Sequence, residues 1–409
     1  MKKFFVLFIA LFMFFTVAAC VDEDREETVI IEMMWFSDGN EAEVMASILQ
    51  QYYRETGVVV MLNPIGWGVY ETRLGTMIDG GDQPALIRTT EGVMNNFQEH
   101  MVELDGVFDT TGFNNIFMNA AGNPLGLPMD VTANGLYVNF DLLDKYDVNY
   151  PVRGDAEIWD WDEFVTEMSK LLGQEDVDYP GLFDHQGHRF MPLMYQHGVE
   201  MWDVPLESMN LTSEAAQDAL TVLMDLYEDG IISKEVFTTG AQELMMTGRY
   251  GFHMSGNWFV SYYDDNADFD WGVIPMPTGP EGQRATVLGG KSLSAVKGSG
   301  YEQEAKDFIE WFSSAEVHDE YNQFVPFLSA RVGANIDFGD LDDVLGMFQD
   351  EISATPPSFT SDWVYMTQVP GIYPLINAMT NSAAFDYDTK TALDILETLE
   401  AAILAALED

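Results

Sequence analysis

The chain has 409 residues, of which 68 are acidic and 18 basic, and its formal charge is −50. This length is too great for one compact core and fits two units of ordinary size, and the 47% of hydrophobic residues is enough to pack both. So negative a surface excludes nucleic acid and anionic lipid as partners. Because the acidic residues are spread along the chain, we interpret them as an adaptation to a salty or alkaline exterior, with cation binding as the alternative.

The amino-terminal end has the pattern of an export signal. Two lysines precede an apolar run over 4–19, which is short for a membrane span because a span needs about 20 residues. The run ends Val17-Ala18-Ala19-Cys20, which resembles the bacterial lipobox, where cleavage precedes a cysteine that is then acylated. We therefore expect a signal peptide over 1–19 and a lipidated tether over 20–27, with an ordinary signal and a chance cysteine as the alternative.

The only cysteine of the chain is Cys20, so no internal disulfide can form. No later stretch is apolar for 18 residues, so the sequence predicts no membrane span after the leader. We expect an exported monomer held on the outer face of the cell membrane by lipid at Cys20 alone.

The first predicted elements form a β-α-β unit. Residues 29–35 have the apolar pattern of a buried strand, which ends before Asp38-Gly39-Asn40. Apolar residues at helical spacing follow over 41–56, Gly57 ends that helix, and 58–62 is a second strand. Two strands joined through a helix imply a parallel pair with a right-handed crossover.

Later segments continue the alternation of helices and strands. At the strongest helix start, Asp160 and Glu163 form a predicted capping box, and Trp159 can pack on Phe164 as a hydrophobic staple. The last helix has leucines and an isoleucine along one face. No repeat of about 20–50 residues is present, so a solenoid is not expected. Further helices and strands are predicted over 70–79, 84–87 and 212–229.

Five stretches follow one another in a recognisable order: Trp67-Gly68-Val69-Tyr70 through Gly81-Asp82-Gln83-Pro84, Leu125-Gly126-Leu127-Pro128 with Gly135-Leu136-Tyr137-Val138-Asn139-Phe140-Asp141, Trp161-Asp162-Glu163-Phe164, Leu244-Met245-Met246-Thr247-Gly248 through Gly256-Asn257-Trp258, and Trp271-Gly272-Val273-Ile274-Pro275-Met276-Pro277 with Gly289-Gly290. Behind a lipobox, this order resembles the extracellular solute-binding proteins of ABC importers, the class that includes maltose-binding protein. Ala85 stands where that family usually has aspartate, and Phe140 where it often has lysine. Those two positions therefore receive no ligand or hinge role.

The resemblance implies an α/β, two-lobed periplasmic-binding-protein-like fold, in which each lobe is a mostly parallel sheet flanked by helices and the ligand cleft lies between the lobes. We expect the first lobe over 28–130 plus 289–328 and the second over 131–288 plus 329–409, with about three chain crossings between them. The family's function implies a solute bound by lobe closure and delivered to the permease subunits of an importer. No cofactor, metal or catalytic residue is expected.

A sugar site needs carboxylates and amides for the hydroxyl rim and aromatic rings for the C–H face. Asp38 follows the first strand, where ligands gather in open α/β sheets, and Asp130 follows Pro128 at the expected hinge. Gly289 and Gly290 fit a close backbone approach at a crossing. The aromatic candidates are Trp258, which follows Gly256, and Trp67, Trp35, Trp363 and Tyr373.

Each of these assignments has a structural alternative: an aromatic ring can belong to the core, and an aspartate to a turn or helix cap. Four other tryptophans stand in helix or strand contexts, and we assign them to packing: Trp159, Trp161, Trp271 and Trp311. Arg88 can bind an anionic solute, or form an ion pair or lie on the surface.

Other sites are disfavoured by their missing partners. Gly290-Lys291-Ser292 lacks the upstream glycine of a phosphate loop, since position 285 is alanine. His185 and His188 have no further ligands for a metal, so we assign them to a surface loop. No Gly-x-Ser-x-Gly motif occurs.

The sequence therefore favours a receptor for a carbohydrate, a disaccharide or oligosaccharide. One alternative is a secreted glycoside hydrolase, which needs two carboxylates about 5–10 Å apart. Another is a receptor of the same fold for a glycerophosphodiester or a polyamine. A surface adhesin or scaffold would more often show repeats or low-complexity stalks, and neither is present.

Overall fold

A computed structural model describes residues 28–119, 121–203, 208–368 and 371–408. The predicted signal peptide, Cys20 and the tether predicted over 20–27 lie outside the described residues. Among the described residues, no helix has the length and apolar character that crossing a membrane requires.

The strands, in chain order, are β1 Ile30–Trp35, β2 Val59–Pro64, β3 Leu86–Thr90, β4 Leu127–Pro128, β5 Asp130–Val131, β6 Asn134–Asn139, β7 Tyr179–Phe183, β8 Trp202–Asp203, β9 Ser208–Met209, β10 Tyr250–Gly256, β11 Trp271–Ile274, β12 Lys291–Ala295 and β13 Leu328–Ser329. The α-helices are α1 Glu41–Thr56, α2 Trp67–Gly80, α3 Glu91–Phe97, α4 Phe140–Lys145, α5 Trp161–Met168, α6 Gly187–Gln196, α7 Glu214–Glu228, α8 Ala241–Met245, α9 Val260–Asn266, α10 Glu302–Phe312, α11 Ala315–Phe324, α12 Asp342–Ala354, α13 Pro357–Gln368, α14 Ile372–Phe385 and α15 Ala392–Glu408.

Two large sheets organise the described residues, one in each lobe. The first has the strand order β2-β1-β3-β12-β4, and the second has the order β11-β6-β10-β7. In the first, β12 runs antiparallel to both neighbours, and in the second β6 does so, while the other strands of each sheet share one direction. The predicted two-lobed α/β fold with mostly parallel sheets is therefore confirmed.

The reversed strands are those that enter a lobe from a crossing. The chain leaves the first sheet after β4 and enters the second as β6, and it returns from β11 to the first sheet as β12. A third passage leads from β13, which pairs with β5, to α12, which packs on β6 and β11. Each reversed strand thus begins at the cleft, where the other strands of its sheet end. The lobe boundaries that we expect from the sequence stay a prediction.

Helix α1 shows how the sequence pattern produces the first lobe. Met45, Ile48, Leu49 and Tyr52 recur at helical spacing, and all four are buried in the core of that lobe. Gly57 ends the helix with φ of 78°, a left-handed conformation that costs glycine little. The predicted helix over 41–56 is confirmed residue for residue.

Local signals in the second lobe are confirmed as well. The Asp160 carboxylate accepts from the Glu163 amide at 2.8 Å, and the Glu163 carboxylate accepts from the Asp160 amide at 3.2 Å. The Trp159 and Phe164 rings meet with centroids 5.9 Å apart. These contacts complete the predicted capping box and staple at the start of α5. In the first lobe, helix α2 differs from its prediction, because it begins three residues before the predicted start at 70.

Candidate functional site

One edge of the first sheet concentrates charged side chains. The strands β1, β3 and β4 end at this edge, and the reversed strand β12 begins there. Lys291, the first residue of β12, pairs in register with Thr90, the last residue of β3. Ligands of open α/β sheets gather at such carboxyl ends of strands. The reversal of β12 thus places a lysine among side chains that follow the other strands.

Five charged residues form a continuous cluster at this edge. The Lys291 ammonium lies 3.7 Å from the Asp38 carboxylate and 3.8 Å from that of Asp130. Arg88 lies 4.0 Å from Asp130 and 3.1 Å from Glu41. Arg88, Glu41, Asp130 and Lys291 are buried, whereas Asp38 keeps a quarter of its side chain exposed. Asp38 is therefore the member of the cluster that a solute reaches most directly.

The charges of this cluster do not fully compensate, since it holds three carboxylates and two cations. Burial raises the pKa of Asp38 and of Asp130, although Lys291 and Arg88 act in the opposite direction. Burial alone would also raise the pKa of Glu41, but Arg88 and Lys291 hold it below its ordinary value. Among the described residues, the Lys291 ammonium and the second Asp130 oxygen have no hydrogen-bond partner. A buried donor and a buried acceptor thus remain available for a polar ligand.

Glu91 extends the charged edge. It directly follows β3, is half-buried, and accepts a hydrogen bond of 3.0 Å from the Asn115 side-chain amide. Burial raises the pKa of Glu91 to about 7, with Asp130 acting in the same direction and Lys291 in the opposite one. Near neutral pH, Glu91 can therefore donate or accept a hydrogen bond.

The facing edge of the second sheet supplies a second polar set. After β7, Arg189 pairs with Asp184 at 2.6 Å and donates to the Ser255 hydroxyl at 3.0 Å. The His253 ring lies 3.6 Å from Asp184. Although burial acts to raise the pKa of Asp184, Arg189 and His253 hold it well below its ordinary value. Arg189 is thereby anchored to the end of β10 and directed at Trp258, two residues after this strand.

Trp258 lies between the two charged edges. Its half-buried ring has the Arg189 guanidinium carbon 4.6 Å from the centroid, the His188 ring at 5.5 Å, and the Lys291 ammonium at 5.8 Å. Arg189 and His188 belong to the second sheet edge, and Lys291 to the first. The ring also packs against the core of the first lobe. Trp258 thus contacts both walls of the cleft.

His188 and Tyr373 form a pair beside Trp258. The Tyr373 hydroxyl is hydrogen-bonded to Nδ1 of His188, and the two rings stack at 6.1 Å. Burial and the charge of Arg189 lower the pKa of His188 well below its ordinary value, so the ring is neutral. Our assignment of His188 to a surface loop is wrong, because the helix α6 that begins at Gly187 turns this ring into the cleft. His185 instead stacks on Phe237 at 4.3 Å.

Comparisons with known proteins identify the family of this chain. The family model of the bacterial extracellular solute-binding proteins matches residues 38–319. The chain belongs to this family. A protein of Brucella abortus (strain 2308), described by its name as a binding protein, is 24% identical over 292 residues, which are 66% of this chain and 68% of that protein.

Three solved structures share the fold of this solute-binding protein. An ABC substrate-binding protein from Listeria monocytogenes in complex with cycloalternan has a TM-score of 0.79 and 19% identity, covering 93% of this chain and 100% of that one. The GacH receptor of Streptomyces glaucescens, solved unliganded and with acarbose, has a TM-score of 0.79 and 18% identity over 94% and 100%. Maltose-bound MalE3 of T. maritima has a TM-score of 0.74 and 21% identity over 92% and 99%.

The remaining predicted aromatics of this solute-binding protein differ in their access to the cleft. Trp67 is 48% exposed. Its ring packs on that of Phe36, the residue directly after β1, with the ring centroids 4.7 Å apart. Trp35 is fully buried in the core of the first lobe, where it meets Tyr321 edge-on, so its prediction as a stacking residue is wrong. Trp363 is buried against Tyr373 at 6.1 Å and presents little surface to a solute in this structure.

Glycines act at the cleft through close packing. Gly289 exchanges two backbone hydrogen bonds with Thr132, and a β-carbon at Gly290 would overlap the carbonyl of Asp130. The predicted close backbone approach at this crossing is therefore present. Gly256 makes room for the indole of Trp258, because a β-carbon at this position would overlap that ring.

Several cleft residues were missed by sequence reasoning. Glu91, Arg189 and His188 follow the strands β3 and β7, so the strand-end rule that selected Asp38 could have found them. Lys291 was considered only as part of a phosphate loop. The surface alternative for Arg88 is wrong and the ion-pair alternative is right, because Arg88 is fully buried against Glu41. Among the described residues, no group of histidine, cysteine, aspartate and glutamate has the arrangement of a metal site.

Proposed function

We propose that this solute-binding protein is the receptor of an ABC importer and binds a carbohydrate of disaccharide or oligosaccharide size between its lobes. The observation that carries the proposal is the position of Trp258, with Arg189 and His188 on one side and Lys291 on the other. An aromatic ring beside charged hydrogen-bonding groups suits the C–H face and the hydroxyl rim of a sugar.

The polar groups of both walls support a hydroxyl-rich ligand. Asp38 and Asp130 offer carboxylate oxygens, and the Lys291 ammonium, although ion-paired with both, has no hydrogen-bond partner among the described residues. Sugar hydroxyls donate and accept at once, so they can join such groups in one network. The similar receptors from Listeria monocytogenes, Streptomyces glaucescens and T. maritima were solved with cycloalternan, acarbose and maltose, respectively.

Closure of the lobes provides the signal for delivery. A solute that contacts Asp38 of one wall and Arg189 of the other gains both sets of contacts only in the closed state, so binding favours closure. The closed form then docks on the permease subunits. The protein acts as an exported monomer, held to the outer face of the membrane by lipid on Cys20.

Binding proceeds without turnover. The family to which the chain belongs is one of binding proteins, and the charged groups of the cleft are engaged with one another rather than arranged as an isolated acid and base. A glycoside hydrolase would instead release smaller sugars from the bound one. A receptor for a glycerophosphodiester or a polyamine is the alternative within the same fold.

A thermal-shift screen of the purified chain 21–409 against sugars, polyols, glycerophosphodiesters, polyamines and metal ions tests the proposal. We expect the largest rise in melting temperature with a disaccharide or oligosaccharide, since ligand bound to the native state alone stabilises it. Mass spectrometry should recover that sugar unchanged after long incubation. Stabilisation by a phosphodiester or polyamine alone, or steady release of shorter sugars, would contradict the proposal.

A further inference from the structure

Glu91 occupies a position where three parts of the molecule meet. It is the first residue of α3, directly after β3, and α3 is in contact with α13 of the other lobe. Its carboxylate accepts from Asn115, whose backbone holds a φ of 58° that is uncommon outside glycine. The Asn115 amide also lies against Gly290, at the crossing that leads into β12. Glu91 is thus fixed at the mouth of the cleft, beside the hinge.

The charged groups around Glu91 come from two other elements. Asp130 of β5 and Lys291 of β12 act on it with opposite sign. In α13, Asp362 is directed away, since its carboxylate accepts from the Tyr195 hydroxyl and the Trp202 amide in the second lobe. Within the cleft, the charged residues that influence the ionisation of Glu91 are therefore Asp130 and Lys291.

Ion pairing within the first lobe does not account for a carboxylate at position 91. Lys291 already lies between Asp38 and Asp130, so it has no close ion-pair contact with Glu91. The one side-chain hydrogen bond described for Glu91 uses one of its two oxygens. The backbone amide of Glu91 also donates to this carboxylate. Lone pairs remain for a hydroxyl group, since each carboxylate oxygen can accept more than one hydrogen bond, and an ionised carboxylate accepts such a bond more strongly than a neutral acid does.

We propose that Glu91 is a specificity-determining residue of the cleft: its carboxylate accepts a hydrogen bond from a hydroxyl of a neutral solute, and protonation of Glu91 weakens binding. The inference rests on the proposed carbohydrate function and adds a residue and a pH dependence to it. Because burial raises the pKa of Glu91 to about 7, this change in affinity falls near neutral pH. Binding of the sugar releases a proton, and affinity rises as pH increases through about 7.

The test is isothermal titration of the purified chain 21–409 with maltose, maltotriose, cellobiose and lactose, between about pH 6 and about pH 8.5. For the sugar bound most tightly, affinity should rise roughly fivefold across this range, as expected when a neutral acceptor becomes charged. Glu91→Gln should bind at the low-pH level throughout, with a flat profile. Glu99→Gln, the same change at an exposed residue shortly after α3, should keep the wild-type profile.

A second variant tests the direction of the effect. Asn115→Gly suits the positive φ at that position and removes the amide that favours the ionised form of Glu91. It should move the midpoint of the affinity profile to higher pH. Even if Glu91→Gln does not fold, the affinity profiles of Asn115→Gly and of the wild type test whether Glu91 controls the pH dependence of binding.

Two outcomes would overturn the inference and can be told apart. If a sugar binds but the wild-type profile is flat, or Glu91→Gln retains the wild-type profile, Glu91 does not contact the solute, while the carbohydrate function stands. If none of the sugars binds at any pH, both the proposed function and this inference fail.

Discussion

The guanidinium carbon of Arg189 lies 4.6 Å from the centre of the Trp258 ring. Arg189 is itself held by Asp184 at 2.6 Å, so its position is fixed before any solute arrives. A cation over an aromatic face contributes about 0.5–2 kcal/mol, depending on how well both groups are shielded from water. Arg189 thereby covers part of the indole, and a solute can contact the ring surface that Arg189, His188 and Lys291 leave open.

Replacement of Trp258 tests its role as a contact of the solute. Trp258→Ala should lower sugar affinity by roughly tenfold to a hundredfold, because a buried aromatic contact of about 1.5–3 kcal/mol is lost. Melting of the ligand-free protein should fall only modestly, since the ring is half-buried. Titration calorimetry and thermal denaturation measure the two effects separately.

Trp311→Ala is the matched control for this substitution. Trp311 is also half-buried, but it packs on Tyr52 and donates to Glu55 in the first lobe. We expect a comparable loss of stability with unchanged affinity. Equal affinity losses in the two variants, or a large loss of stability with intact binding in Trp258→Ala, would place Trp258 outside the site.

The buried pair of Arg88 and Glu41 should be costly to break from one side. Arg88→Met leaves the Glu41 carboxylate buried without its partner at 3.1 Å, and such changes cost about 3–5 kcal/mol. Urea denaturation measures this loss. The double variant Glu41→Gln/Arg88→Met should be more stable than the sum of the single effects predicts, because it removes the uncompensated charge.

The exposed pair of Arg249 and Asp178, at 2.6 Å, offers a comparison. Arg249→Met should change the urea midpoint little, since exposed ion pairs contribute little to stability. If Arg88→Met and Arg249→Met lowered the urea midpoint equally, burial of the Arg88–Glu41 pair would not determine its contribution to stability.

Glu91 also predicts how stability varies with pH in the ligand-free protein. Its pKa is about 7 in the folded protein and has the ordinary glutamate value of 4.5 in the unfolded chain, so the folded state binds the proton more tightly. Its contribution to stability is therefore complete below the unfolded pKa and is lost as pH rises through about 7.

Denaturant melts across this range should show the Glu91 contribution as a difference between variants. Glu91→Gln should become more stable relative to wild type as pH rises, and the difference should level off above about 8. A difference that does not change with pH would show that Glu91 titrates normally in the folded state.

Salt should stabilise the fold. Loss of the two leader lysines would change the charge from −50 to −52, which places many carboxylates within a Debye length of about 10 Å at 0.1 M salt. We expect the melting temperature to rise clearly from millimolar to molar NaCl. Potassium chloride should act equally, since screening does not depend on the identity of the cation. A flat or falling curve would show that local pairing already neutralises the surface.

Cys20 should determine where the protein is found. If its thiol is acylated, Cys20→Ala should release the protein into the medium or leave it unprocessed. Fractionation and metabolic labelling with palmitate measure both results. A variant that remains in the membrane fraction at the mature size would contradict the lipid anchor.

The sequence was sufficient for the fold because its signals were local. The helix over 41–56 follows from apolar spacing and from Gly57, and the capping box of Asp160 and Glu163 lies within four residues. The reversal of β12 was not predictable in this way, because it depends on where the chain re-enters a sheet whose other strands lie far away in sequence.

The site was only partly predictable for the same reason. Asp38 and Asp130 were selected from strand ends, but the lysine that joins them is separated from Asp130 by 161 residues. Trp35 follows the same pattern as a cleft aromatic, yet its side chain points from β1 into the core. Which face of a strand a residue occupies depends on sheet register, and the sequence pattern near a strand end does not determine it.

The place of β12 in its sheet has a consequence for synthesis and secretion. This strand lies between β3 and β4, so the first lobe cannot complete its sheet until residues near 295 have left the ribosome. Contacts this distant in sequence form slowly. A nascent chain of an extracellular protein would thus remain without a finished first lobe for most of its translation, and it would reach the export machinery in a form that can still be threaded through a pore.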